Sequence, residues 1–398
     1  MSKNIMEAKA AKRAAVDVKA VQRPLRVLMV VDGRYPATGG AEMQARLLGA
    51  SFAAAGHDVH VLVPHLDRSL PAQGFVDGIP VTRLSYPRIK GLGALLLNMR
   101  FALWLLHRQK SFDAIHIHMM HNLASAAGWL KPWLKPQVVT KVSGAAEFQG
   151  GILDPSLSHR AVHRLLLRGA KRLDSYQCIS LRTMKIMEEA GFPTARLHLV
   201  PNAVDLKRFK PPVQRDQSAL RAVFVGRHVP VKGLDVLLKA WAFAGPPENA
   251  RLTLAGDGPE RERLIDLAKE LGIGGSVEFP GLIQDVPALL CANNLYVQAS
   301  HQEGLPNAVL EAMANALPVV ATRVSGHEDI IAEAETGFLV PPNDPEAFAA
   351  ALSRLANQKE LRMTMGTSAR ECVEKKYSIS VVVDSLINLY KKPVTINL

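Results

Sequence analysis

Residues Glu303 to Glu311 read Glu-Gly-Leu-Pro-Asn-Ala-Val-Leu-Glu, two carboxylates eight positions apart with Gly304 and Pro306 following the first. The stretch Leu295 to Gln298 before them is apolar and β-prone, and Asn307 to Ala316 after them reads as helix. A strand–loop–helix unit therefore carries one Glu in its loop and the other within the first helical turns. Eight residues make a little over two helical turns, so both side chains can face one crevice. At the mouth of a parallel sheet such a pair can hold sugar-nucleotide hydroxyls, with the phosphates on the helix N-terminus formed by Gly304, Leu305, Pro306 and Asn307. The same spacing also fits two solvated Glu on a surface helix, and spacing alone does not choose.

Three further strand exits bear on that choice. Phe224-Val-Gly-Arg227 ends a strand, and Lys232-Gly233 precedes the next helix. Two cations beside a helix N-terminus suit a diphosphate, which needs charge and bidentate donors; the alternative is a pair of ordinary loop charges. Ala255-Gly256-Asp-Gly258-Pro259 is a tight turn opening a helix, where Gly256 either admits a close ligand or serves only the turn. Phe279-Pro-Gly-Leu282-Ile283 leaves a strand with backbone groups that could read a nucleobase edge.

The elements that must position these residues alternate along the chain. Strands are expected at 26–31, 59–63, 114–118, 138–140, 176–179 and 197–200, with a helix from about Ala41 to Ala55. Pro201, Pro211 and Pro212 among charged residues mark 201–218 as a linker, after which the pattern restarts. Strands at 222–225, 252–255, 277–279, 295–298 and 319–321 alternate with helices beginning near Leu234, Glu260, Val286, Asn307 and Gly326. The fold class expected is α/β, with two Rossmann-like, doubly wound parallel-sheet domains facing a central cleft. The first domain would span 24–200 and the second 219–376, with a helix over 377–398 returning to the first. Residues 1–23 read as a basic, mobile tail.

The composition fits that picture. The chain has 398 residues, 48% apolar and 21% charged, enough for two cores. Cys178, Cys291 and Cys372 form no metal or disulfide pattern and read as buried thiols of a reducing compartment. The net charge of +12 is lopsided: residues 1–200 hold 27 Lys and Arg against 13 Asp and Glu, and the remainder 21 against 23. The first domain therefore has an anionic partner in prospect. Nucleic acid is set aside, because no zinc-finger or RNA-binding aromatic motif is present. No secretory h-region is visible, and the apolar run from Leu92 to Leu106 is too short and polar to span a bilayer.

In their order and spacing the second-domain motifs resemble the retaining GT-B glycosyltransferases of family 4. The likeness extends to Val200-Pro-Asn-Ala-Val-Asp205, Pro318-Val-Val-Ala-Thr322 and Thr336-Gly-Phe-Leu-Val340. It implies that Arg227 and Lys232 neutralise the donor diphosphate in place of a metal ion, that Glu311 holds the ribose and that Glu303 contacts the transferred sugar. Amides at Leu305 and its neighbours would complete the phosphate cradle, with Leu282 and Ile283 at the base. In the first domain, Thr38-Gly-Gly-Ala-Glu42 looks like the family's Gly-rich loop, whose Gly40 amide approaches the phosphates from across the cleft. Asp113-Ala-Ile-His-Ile-His118 resembles its Asp-x-x-His-x-His strand. Period two puts His116 and His118 on one face, with His118 at the exposed strand end near the reacting centre or acceptor and His116 structural. A metal at this pair would lack a third ligand, His121 is unassigned, and no metal or cofactor is called for.

Two departures stand out. Ser143 occupies the place where relatives often carry His, and Ala316 the place where they commonly carry Gly. No GxGxxG with a downstream acid follows Val31, which speaks against a dinucleotide oxidoreductase. The resemblance implies transfer of a hexose from a UDP- or GDP-sugar, with retention by front-face attack. The expected acceptor is lipid-linked, in cell-surface polysaccharide or glycolipid assembly. Residues 86–110, with Arg88, Lys90, Arg100, Arg108 and Lys110 around apolar side chains, read equally as a membrane-interfacial helix or a core helix. A second basic cluster, Arg160, Arg164, Arg168, Lys171 and Arg172, extends the anionic surface. The enzyme is therefore expected in the cytoplasm, peripheral on the inner face of the membrane. The rivals are a soluble transferase acting on a small sugar or sugar phosphate, and a non-catalytic sugar-nucleotide-binding protein.

Overall fold

The computed structural model describes residues 23–37, 39–90, 92–148 and 150–391. The expected N-terminal tail (Arg23 apart), Thr38 and the end of the expected C-terminal helix lie outside the described residues. The first sheet contains β1 (Arg26–Val31), β2 (Asp58–Pro64), β3 (Gln73–Val76), β4 (Ile79–Leu84), β5 (Ala114–His118), β6 (Gln137–Val142), β7 (Ser175–Cys178) and β8 (Leu197–Leu199). Their order is β3-β4-β2-β1-β5-β6-β7-β8. Helices α1 (Gly40–Ala54), α2 (Gly93–Arg108), α3 (Asn122–Leu130), α4 (Ala145–Phe148), α5 (Ala161–Ala170) and α6 (Leu181–Glu189) cover it. Strand β1, Arg-Val-Leu-Met-Val-Val, buries side chains of both faces because helices lie on both sides of the sheet.

The second sheet is built from β9 (Arg221–Val225), β10 (Arg251–Ala255), β11 (Val277–Gly281), β12 (Leu295–Gln298), β13 (Val319–Thr322) and β14 (Gly337–Val340), in the order β11-β10-β9-β12-β13-β14. Around it lie α7 (Leu234–Ala244), α8 (Arg261–Glu270), α9 (Val286–Cys291), α10 (Asn307–Ala314), α11 (Ser325–Glu328), α12 (Pro345–Asn357) and α13 (Lys359–Lys376). The last helix, α14 (Ile379–Tyr390), inserts Val382, Leu386 and Tyr390 into the apolar cluster of β1, β2 and α1 in the first domain. Each sheet has one point where the chain reverses its direction of winding, between β1 and β5 in the first and between β9 and β12 in the second. Crevices at such points are where doubly wound sheets hold ligands.

The sheets are parallel as expected, with one exception. Strands β3 and β4 form an antiparallel hairpin at the edge. Its turn, Asp77-Gly78, has both residues at positive φ (51° and 77°), the geometry that an Asp-Gly pair favours. The hairpin was not among the expected strands, although Asp-Gly is its usual signal.

The linker is held down at the cleft. Val204 N–H donates to Tyr377 O (2.9 Å), and Asn202 Nδ2 donates to Leu305 O (3.0 Å) and Asn307 Oδ1 (2.9 Å). Arg215 donates to carbonyls of Leu290, Asn293 and Asn315, and its burial lowers its pKa to about 10. Ala316, which follows the end of α10, takes φ 55°, the left-handed position that glycine fills at no steric cost.

Candidate active site

At the second-sheet switch point, the loops after β9 and β12 meet. Gly233 sits at φ 59°, and a Cβ there would lie 2.2 Å from Ala299 O, so only glycine lets the two loops touch. That contact brings Lys232 Nζ to 2.6 Å from Glu303 Oε1. The same oxygen accepts Gln298 Nε2 (2.6 Å) and Ser300 Oγ (2.7 Å), while Tyr296 Oη donates to Gln298 Oε1 (3.0 Å). Burial alone would raise the Glu303 carboxyl. The Lys232 ammonium, the nearby His327 and the hydrogen bonds from Lys232 and Ser300 outweigh it and hold the group below its usual value. His327 is itself buried, with Nδ1 on Thr322 O (2.7 Å) and Nε2 without a partner. Gln298, Ser300 and His327 were not anticipated. Their positions at the ends of β12 and after β13 were the available signal.

Arg227 is exposed at the β9 exit and makes no side-chain hydrogen bond or ion pair among the described residues. Helix α10 begins at Asn307 with Pro306 as its cap residue and no side-chain cap, which leaves its first amides open beside Gly304 and the buried Leu305. Gly256, at φ 137°, lies so close to Gly226 that a Cβ would come 1.8 Å from its carbonyl oxygen. Leu282 is 79% exposed and Ile283 half-buried after β11. Glu311 opens instead onto a cavity of about 390 Å³ between α1, the linker and α10, shared with Gln44, Arg208 and Asn307. Burial pushes its carboxyl up to about 7, against the opposing pull of Arg208. The structure therefore joins Lys232 to Glu303 directly and sets Glu311 on a separate wall. Leu282 and Ile283 do not line that cavity.

Across the cleft, Gly40 O accepts Asn307 Nδ2 (3.3 Å), and Gln44 Nε2 donates to Asn307 Oδ1 (3.3 Å) and Ala203 O (2.7 Å). Backbones also touch after β6, where a Cβ on Gly144 would lie 3.0 Å from Gly304 Cα.

His118 requires a correction. It was expected at an exposed strand end, but it is fully buried, stacked on His116 with ring centroids 4.4 Å apart and without a partner for either ring nitrogen. Strand β5 is central, and α14 covers this face, with Tyr390 Oη 2.7 Å from His116 Nδ1. Burial drives the His118 pKa well down, with His116 and Lys141 adding to the effect. His118 is thus a buried neutral ring, and His121 and His163 are the histidines that line a cavity of the first domain. Ser143 donates its backbone N–H to Glu147 Oε1 (3.0 Å), and its hydroxyl is buried without a partner. Lys141 is buried as well, with no partner for Nζ, and burial lowers its pKa to about 7 despite the opposing pull of Glu147.

Helix α2 has a core-facing side and an exposed apolar side. Leu97, Phe101 and Leu105 enter the core, while Leu95, Met99 and Leu103 are more than half exposed on another face. Among the described residues, no helix is long and apolar enough to cross a membrane.

Comparison with known proteins gives matches along most of the chain. The family model for glycosyl transferases group 1 matches residues 207–372, and that for glycosyltransferase family 4 matches residues 38–208. A D-inositol 3-phosphate glycosyltransferase of Saccharomonospora viridis is 31% identical over 308 residues, 71% of this chain and 70% of the relative. An N-acetyl-alpha-D-glucosaminyl L-malate synthase of Bacillus anthracis is 26% identical over 376 residues, 89% of this chain and 94% of its own. The structure of Anabaena HepE in complex with UDP superposes with a TM-score of 0.73 at 19% identity, covering 92% of this chain and 99% of that one; at this identity the likeness is one of fold.

Proposed function

Because this chain belongs to glycosyltransferase family 4 and has the GT-B fold, we propose that it is a retaining, metal-independent hexosyltransferase using a nucleotide diphosphate sugar. The observation that carries this reading is the Lys232–Glu303 contact of 2.6 Å, beside the unpartnered Arg227 and the open N-terminus of α10. A leaving diphosphate requires positive charge that is already in place when the glycosidic C–O bond stretches. Arg227, Lys232 and the α10 amides supply it. Glu303, fixed through one oxygen by three donors, offers the other to a sugar hydroxyl. Glu311 holds the ribose.

In this reading the C1–O bond to the phosphate breaks as an acceptor oxygen bonds C1 from the same face. The acceptor proton passes to the departing phosphate oxygen. The UDP held by the Anabaena neighbour supports uridine as the base.

For the acceptor, the exposed Leu95–Met99–Leu103 stripe with Lys90 and Lys110 at its ends supports a lipid-linked molecule reached from an anionic membrane surface. A soluble acceptor is the second reading, favoured by the two relatives, named for inositol phosphate and malate.

A thermal-shift panel of UDP-, GDP- and ADP-sugars, followed by donor hydrolysis with the best stabiliser, tests the donor assignment. One nucleotide should stand out and be hydrolysed slowly. Equal indifference to all three would reject the reading.

A further inference from the structure

The switch point of the first sheet holds a second built site. Asp32 follows β1, and His121 and Asn122 lie where the loop after β5 enters α3; these three line a cavity of about 470 Å³ with Arg160 and His163. A second cavity, of about 560 Å³, opens from the same Asp32 and Asn122 toward Tyr86, Arg88 and Lys90.

Two helices point their N-termini at the first cavity. A Cβ on Gly128 of α3 would lie 1.9 Å from Gly169 O of α5, so the helices touch backbone to backbone near their C-terminal ends. Asn122, the first residue of α3, and Val162, the second of α5, both line the cavity, so the helices run side by side in the same sense. Their positive ends converge there. The two ends are not alike. Asp32 Oδ2 already accepts the Leu123 amide of α3 (3.3 Å). Helix α5 has Arg160 as its cap residue and no side-chain cap.

Beside that open end, His163 is only 8% exposed and neither ring nitrogen has a partner among the described residues. Buried polar groups in folded proteins are satisfied by protein, water or ligand. The Arg160 guanidinium is exposed and also makes no side-chain hydrogen bond among the described residues. The nearby Asp154 carboxylate accepts the Gly150 amide (2.7 Å) and the Ser156 amide (2.9 Å), and Gly150 lines the cavity.

We propose that this cavity is a two-part acceptor site, in which Asp32 and Asn122 hold ring hydroxyls and the α5 N-terminus with Arg160 and His163 holds a phosphate on the same molecule. The assignment rests on the transferase reading above and adds the chemistry of its acceptor. An open helix N-terminus, a guanidinium and a buried imidazole form a set of N–H donors suited to phosphate oxygens. A free sugar phosphate and a polyprenyl-linked sugar phosphate present the same group.

The test measures binding of inorganic phosphate and of a hexose 1-phosphate by calorimetry, with UDP present to fill the donor site. It uses the wild-type chain, Arg160→Ala and His163→Gln. Each substitution should weaken phosphate binding by roughly tenfold, leave acceptor-free donor hydrolysis unchanged and raise the acceptor KM. Unchanged phosphate affinity in both variants overturns the site even if donor hydrolysis is intact. If instead no nucleotide sugar binds the wild type, the transferase reading fails while the phosphate measurement stands alone. Vesicles of phosphatidylcholine with and without polyprenyl phosphate separate the sources. Arg160-dependent binding to the doped vesicles assigns the lipid, and binding of the free hexose phosphate alone assigns the soluble molecule.

Discussion

Lys232 Nζ and Glu303 Oε1, 71 residues apart in sequence, lie 2.6 Å apart on two loops that only Gly233 allows to meet. Removing the ammonium leaves Glu303 with Gln298 and Ser300 as donors, so the carboxylate stays hydrogen-bonded. Lys232→Ala should cost about 2 kcal/mol of stability yet lower transfer by about a hundredfold or more. Circular dichroism and turnover on one preparation check this. The Glu303 carboxyl is held below its ordinary value of 4.5, so its contribution to stability is full above that value and is lost as pH falls through the lower, folded one. Acid unfolding of Glu303→Gln should therefore be less steep below pH 4.5 than that of the wild type.

Glu311 gives the opposite sign. Its carboxyl is raised to about 7, so near neutral pH it is partly protonated and a poorer acceptor for two ribose hydroxyls. Affinity for a UDP-sugar, whose diphosphate does not titrate in this range, should rise as pH increases through about 7 and then level off. Glu311→Gln should bind weakly and without that rise. A wild-type affinity that is flat across the range would remove the ribose role.

Gly144 and Gly304 meet across the cleft with no room for a side chain. A Cβ on Gly304 would lie 2.7 Å from Ser143 O. Gly304→Ala should hold the domains apart, increasing the small-angle scattering radius in the presence of UDP-sugar. Turnover should drop at least about tenfold, because a small misplacement of the reacting groups is costly. Unfolding should be little changed.

Helix α2 predicts membrane attachment through side chains that the core does not need. Leu95→Ser, Met99→Ser and Leu103→Ser together should abolish sedimentation with anionic vesicles and leave donor hydrolysis unaltered. High salt should weaken the wild-type binding.

Ala316 offers a gain instead of a loss. At φ 55° an L-residue costs roughly 1–2 kcal/mol that glycine avoids. Ala316→Gly should raise the unfolding midpoint measurably, since this relief exceeds the entropy that glycine adds to the unfolded chain.

The central strands were legible because they are buried on both faces and bounded by turn residues; β1, β5 and β12 begin and end where expected. The β3–β4 edge hairpin escaped notice because β3 is short and part-exposed, with the pattern residing in Asp77-Gly78. The donor loops could be named from Arg227, Lys232, Glu303 and Glu311. That Lys232 would pair with Glu303, or that Glu311 would open onto a different wall, depends on loop contacts such as Gly233 with Ala299. His118 misled because period two fixes the face of a strand but not what covers it, and α14 arrives from the far end of the chain. Asp32, His121 and His163 carried no motif. Only the sheet order and the packing of α3 on α5 bring them together.

The most direct test is calorimetric titration of a UDP-sugar in EDTA into the wild type, Arg227→Ala and Lys232→Ala, with turnover measured on the same samples. Binding and turnover by the wild type without metal, with affinity reduced about tenfold or more in each variant, is the predicted result. A requirement for a divalent cation, or equal affinity in all three proteins, would contradict a donor site whose leaving-group charge is carried by Arg227 and Lys232.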